Sequence, residues 1–147
     1  VDLMGEAGTP TGRDGLPQAP MLYGTLPKQL QDPRSFASHV ARLIRARKAY
    51  RIAEATVVDV PSLASSAVCV LVMTLPAELG GVAVTAVNYG NTDTQLKLSV
   101  RAAAPAGAPR DVITESNVGR FDGKELELPL SARAGRTVVL GARPQSK

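Results

Sequence analysis

His39 and Cys69 are the chain's only histidine and its only cysteine. A nucleophile–base pair would have to recruit His39, which stands among arginines in a stretch with helical spacing. A histidine on a helix face among arginines is usually solvated, so His39 reads as a solvated helix position and not as a general base. Cys69 falls within an apolar run, AVCVLVMTL over 67–75. A thiol there is expected to be buried, protonated and inert in a central strand covered on both faces. One residue of each type excludes a disulfide framework and a zinc cluster, and no metal or cofactor is expected. Paired carboxylates are the remaining route to chemistry, since glycoside cleavage needs only two. Glu125 and Glu127 share a strand face, but it is the polar face of a clean alternation. Asp111, Glu115 and Asp122 stand at strand ends and turns, where short polar side chains serve the backbone. The sequence therefore assigns no catalytic residue.

A second constellation is electrostatic. Arg34, Arg42, Arg45, Arg47, Lys48 and Arg51 lie between Pro33 and Ala53 with no acid among them. Those six charges exceed the chain's net +4, so the remainder sums to −2. Together they define an alternative anion-binding surface over 34–51. No aromatic residues interleave them as stacking platforms, so nucleic acid is not an expected partner. Sugar binding by the chain alone is disfavoured as well, because it has no Trp and only Tyr23, Phe36, Tyr50, Tyr89 and Phe121 as aromatics.

The elements that must position these residues follow from composition and period. With 147 residues, 44% apolar and 20% charged, the chain can build one core and is neither disordered nor membrane-embedded overall. Its longest apolar run is far too short to span a bilayer. Residues 1–31 are expected to be irregular, since GEAGTPTGRDGLPQAP (5–20) carries four glycines and three prolines. It also lacks the spacing of a phosphate-binding loop. Asp32-Pro33 then predicts an N-cap and first helical position, opening a helix over 32–53. Phe36, Val40, Leu43 and Ile44 form its single apolar stripe. An isolated helix of this length, loaded with like charges, is marginal in water. The packing stripe must therefore be held against another surface. From Ala55 the period becomes two, predicting strands at 55–60, 67–75, 82–88, 94–101, 110–114, 124–130 and 136–141. Turns are expected at Gly80-Gly81, Gly90-Asn91, Asp122-Gly123 and Ala134-Gly135, with a Pro/Ala connection over 101–110. The fold class is thus mainly β: an antiparallel sandwich of about seven strands over 54–147, preceded by one amphipathic helix and an irregular N-terminal segment.

These residues also resemble a known family. LYGTLPKQLQDPRSFASHVARLIRARKAYRIAEATVVDVP (22–61) is similar to the end of the catalytic barrel in trehalose synthases, within the α-amylase superfamily of glycoside hydrolases. Their last barrel helix carries D-P-x-S-F-x-x-x-(L/V)-x-R-(L/I)-(L/I)-x-x-R, matched by Asp32, Pro33, Ser35, Phe36, Val40, Arg42, Leu43, Ile44 and Arg47. VAVTAVNYGNTDTQLKLSV resembles the superfamily's C-terminal β-domain, and RDVITESNVGRFDGKELELPLSARAGRTVVL resembles that domain's ending. The likeness covers 22–140 and contains none of the superfamily's catalytic Asp and Glu motifs. It implies a non-catalytic C-terminal module of an enzyme that interconverts maltose and trehalose, inactive alone. The partners it implies are the catalytic barrel of the parent enzyme or a second copy of the chain, with no membrane. With Val1 as the first residue and no leader pattern before the body, a fragment of a longer cytoplasmic chain is expected.

Overall fold

A computed structural model describes residues 24–142, and the chain divides into two compact units, 1–45 and 46–147. Among the described residues, the first unit contains α1 (Leu26–Gln31) and most of α2 (Phe36–Ala49). The expectation of irregular backbone through residue 31 is corrected at 26–31, and the rest of that segment, 1–23, lies outside the described residues. The helix start is corrected too. Asp32 is extended, at φ −93 and ψ 111, as the residue before a proline prefers, and it ends α1. Its Oδ1 accepts the amide of Arg34 at 2.8 Å, so it caps a turn and leaves the helix amides to others. The N-cap of α2 is Ser35, whose Oγ accepts the Ser38 amide at 3.1 Å. The hydroxyls of Ser35 and Ser38 both donate to the Gln29 carbonyl, which ties the end of α1 to the start of α2.

The second unit contains eight strands, all paired antiparallel: β1 (Thr56–Asp59), β2 (Val68–Thr74), β3 (Val82–Asn88), β4 (Thr94–Ser99), β5 (Arg110–Asp111), β6 (Arg120–Phe121), β7 (Glu125–Leu130) and β8 (Ala134–Leu140). They form a five-stranded sheet, β1-β2-β3-β8-β5, and a three-stranded sheet, β4-β7-β6. Val70, Val72, Val82, Val84, Ala86, Val138 and Leu140 from the larger sheet meet Leu96, Leu98, Phe121, Leu126, Leu128 and Leu130 from the smaller one. That interior is the main core of a β-sandwich. A second cluster lies on the outer face of the larger sheet, where Met73, Ala83 and Val139 pack with Ala46, Tyr50, Leu75, Leu79 and Val112. Burial there pushes the Tyr50 phenol above its ordinary pKa, against the pull of Arg110.

Three departures from the predicted strands have local causes. The strand expected at 110–114 stops at Asp111, because its Oδ1 accepts the amides of Ile113 (2.8 Å) and Thr114 (3.0 Å) and curls the chain away. The turn expected at Ala134-Gly135 falls earlier, since both residues pair with β3, and Arg133 takes the left-handed conformation at φ 52. A two-residue strand at Arg120–Phe121, too short for any periodic signal, places Phe121 in the core. The predicted Gly80-Gly81 turn is present: Gly81 has φ +76, and a Cβ there would stand 2.2 Å from the Leu140 carbonyl oxygen.

The expectation for Cys69 is overturned. Cys69 is exposed and Leu71 is 36% exposed, so β2 is covered on both faces only near Met73. Cys69 stands opposite Val87 in the register, at the end of the outer face away from Met73 and Ala83. A run without alternation signals two apolar faces but not whether another element covers the second. Native Cys69 should react with a thiol reagent at a rate close to that of the unfolded chain, as timed thiol labelling would measure. Cys69→Ala should change stability by no more than about 0.5 kcal/mol. No helix among the described residues is long and apolar enough to cross a membrane.

Candidate interaction surface

The residues considered for chemistry are dispersed and occupied. His39 is exposed on α2 and Cys69 on β2, in different units. Asp111 is 5% exposed, is spent on the two turn amides, and faces Arg136 at 3.7 Å. Glu115 pairs with Arg110 at 3.2 Å. Asp122 accepts the amides of Glu125 (2.7 Å) and Lys124 (2.8 Å), which hold its carboxyl below the usual range. Glu127 pairs across the sheet with Lys97 at 3.0 Å, and Glu125 is exposed on the same polar face. Arg120, Asp122, Glu125 and Glu127 line a small open depression on the surface. Among the described residues, no group of three or more His, Cys, Asp or Glu side chains could hold a metal ion.

The helix carries the other candidates. Of the apolar stripe, Phe36 is 65% exposed, Leu43 45% and Ile44 50%, while Val40 is half-buried. The residues that α2 and its end do bury are Ser38, Ala46 and Tyr50. Sequence reasoning passed over Ala46, because an alanine adds little to an apolar stripe. Its position four residues before Tyr50, on one helical face, was the available signal. With Leu43 half in solvent, Leu43→Ala should cost about 1 kcal/mol in this chain, read from the denaturant midpoint. Arg45→Ala, at an exposed position, should stay within about 0.5 kcal/mol.

Nor are the six cations equivalent. Arg42 donates to the Pro33 carbonyl at 2.7 Å. Arg51, left-handed at φ 46, pairs with Glu54 and, at 3.3 Å, with Glu78. The hydrogen bond from Arg51 holds the Glu54 carboxyl below its ordinary value. Arg34, Arg45, Arg47 and Lys48 are exposed, and the last two complement the C-terminal dipole of α2. The helix therefore exposes Leu43 and Ile44 by about half, flanked by the cations Arg45, Arg47 and Lys48.

No protein-family model matches the chain, and no curated protein matches it significantly. Solved structures do. An α-amylase from Anoxybacillus is similar over 78% of this chain and 25% of its own, with a TM-score of 0.55 at 16% identity. α-Galactosidase I from Mortierella vinacea is similar over 58% of this chain and 23% of its own, with a TM-score of 0.44 at 13% identity. The chain spans a quarter or less of the length of each. At such identities the likeness is one of fold alone.

Proposed function

We propose that this chain is the non-catalytic C-terminal module of a trehalose-synthase-like enzyme, in which α2 is the last helix of the catalytic barrel. The observation that carries the reading is the state of the helix: Leu43 and Ile44 are 45% and 50% exposed, although the sandwich core is closed without them. Apolar residues at helical spacing that the chain's own core does not use are a surface for a neighbour. The D-P-x-S-F motif and the fold likeness to an α-amylase favour a barrel as that neighbour. The module would then act by covering the barrel's apolar flank and fixing its final helix. Maltose–trehalose interconversion would belong to the parent enzyme.

The test is complementation. A trehalose synthase barrel truncated before its last helix is mixed with this chain, and maltose–trehalose interconversion is followed. The chain alone is expected to give no turnover, the mixture to regain it, and Leu43→Asp with Ile44→Asp to abolish the gain. Turnover by the chain alone, or rescue indifferent to those substitutions, would refute the proposal. A second reading rests on exposed Arg45, Arg47 and Lys48, a cationic strip that could take an acidic partner. Steep weakening of a measured association with added salt would favour it over apolar docking.

A further inference from the structure

Of the four edge strands among the described residues, three are protected. β5 and β6 are two residues each, and single bridges meet them, Arg110 to Asn117 and Phe121 to Gly107. β4 turns Gln95, Lys97 and Ser99 to solvent, polar side chains that discourage pairing. β1 differs. None of its residues is buried, and Val57, Val58 and, just beyond it, Val60 are 52%, 49% and 59% exposed. A free edge with apolar side chains is a template for another strand.

A groove lies beside this edge. Val57 stands opposite Met73 and Asp59 opposite Val72, so Val58 is an extra residue, a bulge in β1. Val58 and Asp59 both line an open groove of about 400 Å³, with Thr74 of β2 and with Arg101, Ala102 and Ala103 of the connection after β4. Asp59 and Arg101 thus place opposite charges around one groove, and among the described residues neither belongs to an ion pair. The bulge shortens the run that could pair by backbone alone, so side chains must carry much of any contact.

An unpaired acid and an unpaired base on one apolar edge make that edge self-complementary. Under a two-fold axis every contact occurs twice, so Asp59 of one copy can meet Arg101 of the other, and the reverse. The same axis sets two β1 strands antiparallel. A partner carrying one sign of charge would leave one of the two groups unmatched. We propose that a second copy of this chain occupies the β1 edge and its groove, with the valines of the two edges in contact and Asp59–Arg101 pairs formed reciprocally between copies. So short an edge buries less than the about 1,000 Å² expected of a lasting interface, which makes the association reversible and concentration-dependent. The surface uses neither Leu43 nor Ile44, so its failure leaves the complementation result untouched.

The experiment is sedimentation equilibrium of this chain over a series of protein concentrations. A monomer–dimer equilibrium is expected. Asp59→Arg and Arg101→Asp should each weaken it about tenfold, because both reciprocal pairs become like-charged. Mixing these two variants should restore dimers, since each arginine of one copy then faces an aspartate of the other. That recovery distinguishes pairing between copies from pairing within one. Val57→Lys with Val58→Lys should abolish the dimer, whereas Leu43→Asp with Ile44→Asp should leave it unchanged. A chain that stays monomeric up to about 1 mM overturns the proposal. So do charge variants that associate as tightly as the parent, a mixture that shows no recovery, or a dimer lost through the α2 substitutions.

Discussion

Leu128→Ala is expected to lower the unfolding free energy by about 3–5 kcal/mol. Leu128 is fully buried and pairs in register with Leu96, and its side chain fills the space between the two sheets. Leu126 and Leu130 flank it on the same face, both also buried. Truncation removes transfer free energy and leaves a cavity that neighbours fixed by two sheets cannot collapse to fill. The urea midpoint should fall with little change in slope, because the same surface is exposed on unfolding. Leu71→Ala, on the partly exposed outer face of β2, is the matched control and should cost far less. A loss at Leu128 below about 1 kcal/mol would mean that the sheets do not close on each other as described.

Asn88→Ala should cost about 2–4 kcal/mol, a large value for one polar side chain. Asn88 is 2% exposed. Its Nδ2 donates to the carbonyls of Thr92 (2.9 Å) and Ser131 (3.1 Å), and its Oδ1 accepts the Gly90 amide. One amide group thus joins the β3–β4 connection to the β7–β8 turn. Its removal leaves one N–H and two carbonyl groups without these partners, in a place only partly open to water. Asn88→Asp should do comparable damage: a carboxylate can keep the Gly90 contact but has no hydrogen to offer either carbonyl. Denaturant melts of the two variants check this, and a neutral Asn88→Asp would refute the assigned donor roles.

The parts legible from residues alone were those governed by short-range periodicity. Leu96-Leu98-Val100 and Leu126-Leu128-Leu130 alternate with polar residues and point inward in the structure, because a strand's two faces are set by the pleat itself. The local competition at Asp32 and Ser35 was only half-readable. Either side chain can cap a helix, and the proline's restriction on Asp32, together with the Gln29 carbonyl, selected Ser35.

Coverage was beyond the sequence's reach. Val70 and Cys69 are neighbours in one apolar run, yet one is buried and the other exposed. Two residues in the stretch from 43 to 46 show the same: Leu43 is half in solvent while Ala46, smaller and less apolar, is buried. Hydrophobicity states what a side chain gains by leaving water. Whether it leaves depends on which surface arrives opposite it, and pairings across tens of residues decide that. By itself the sequence determined the strand faces and the basic helix. Only the tertiary structure decided which apolar side chains are buried within this chain and which, like Leu43 and Ile44, stay about half exposed, because burial belongs to a pair of surfaces and a sequence specifies them one residue at a time.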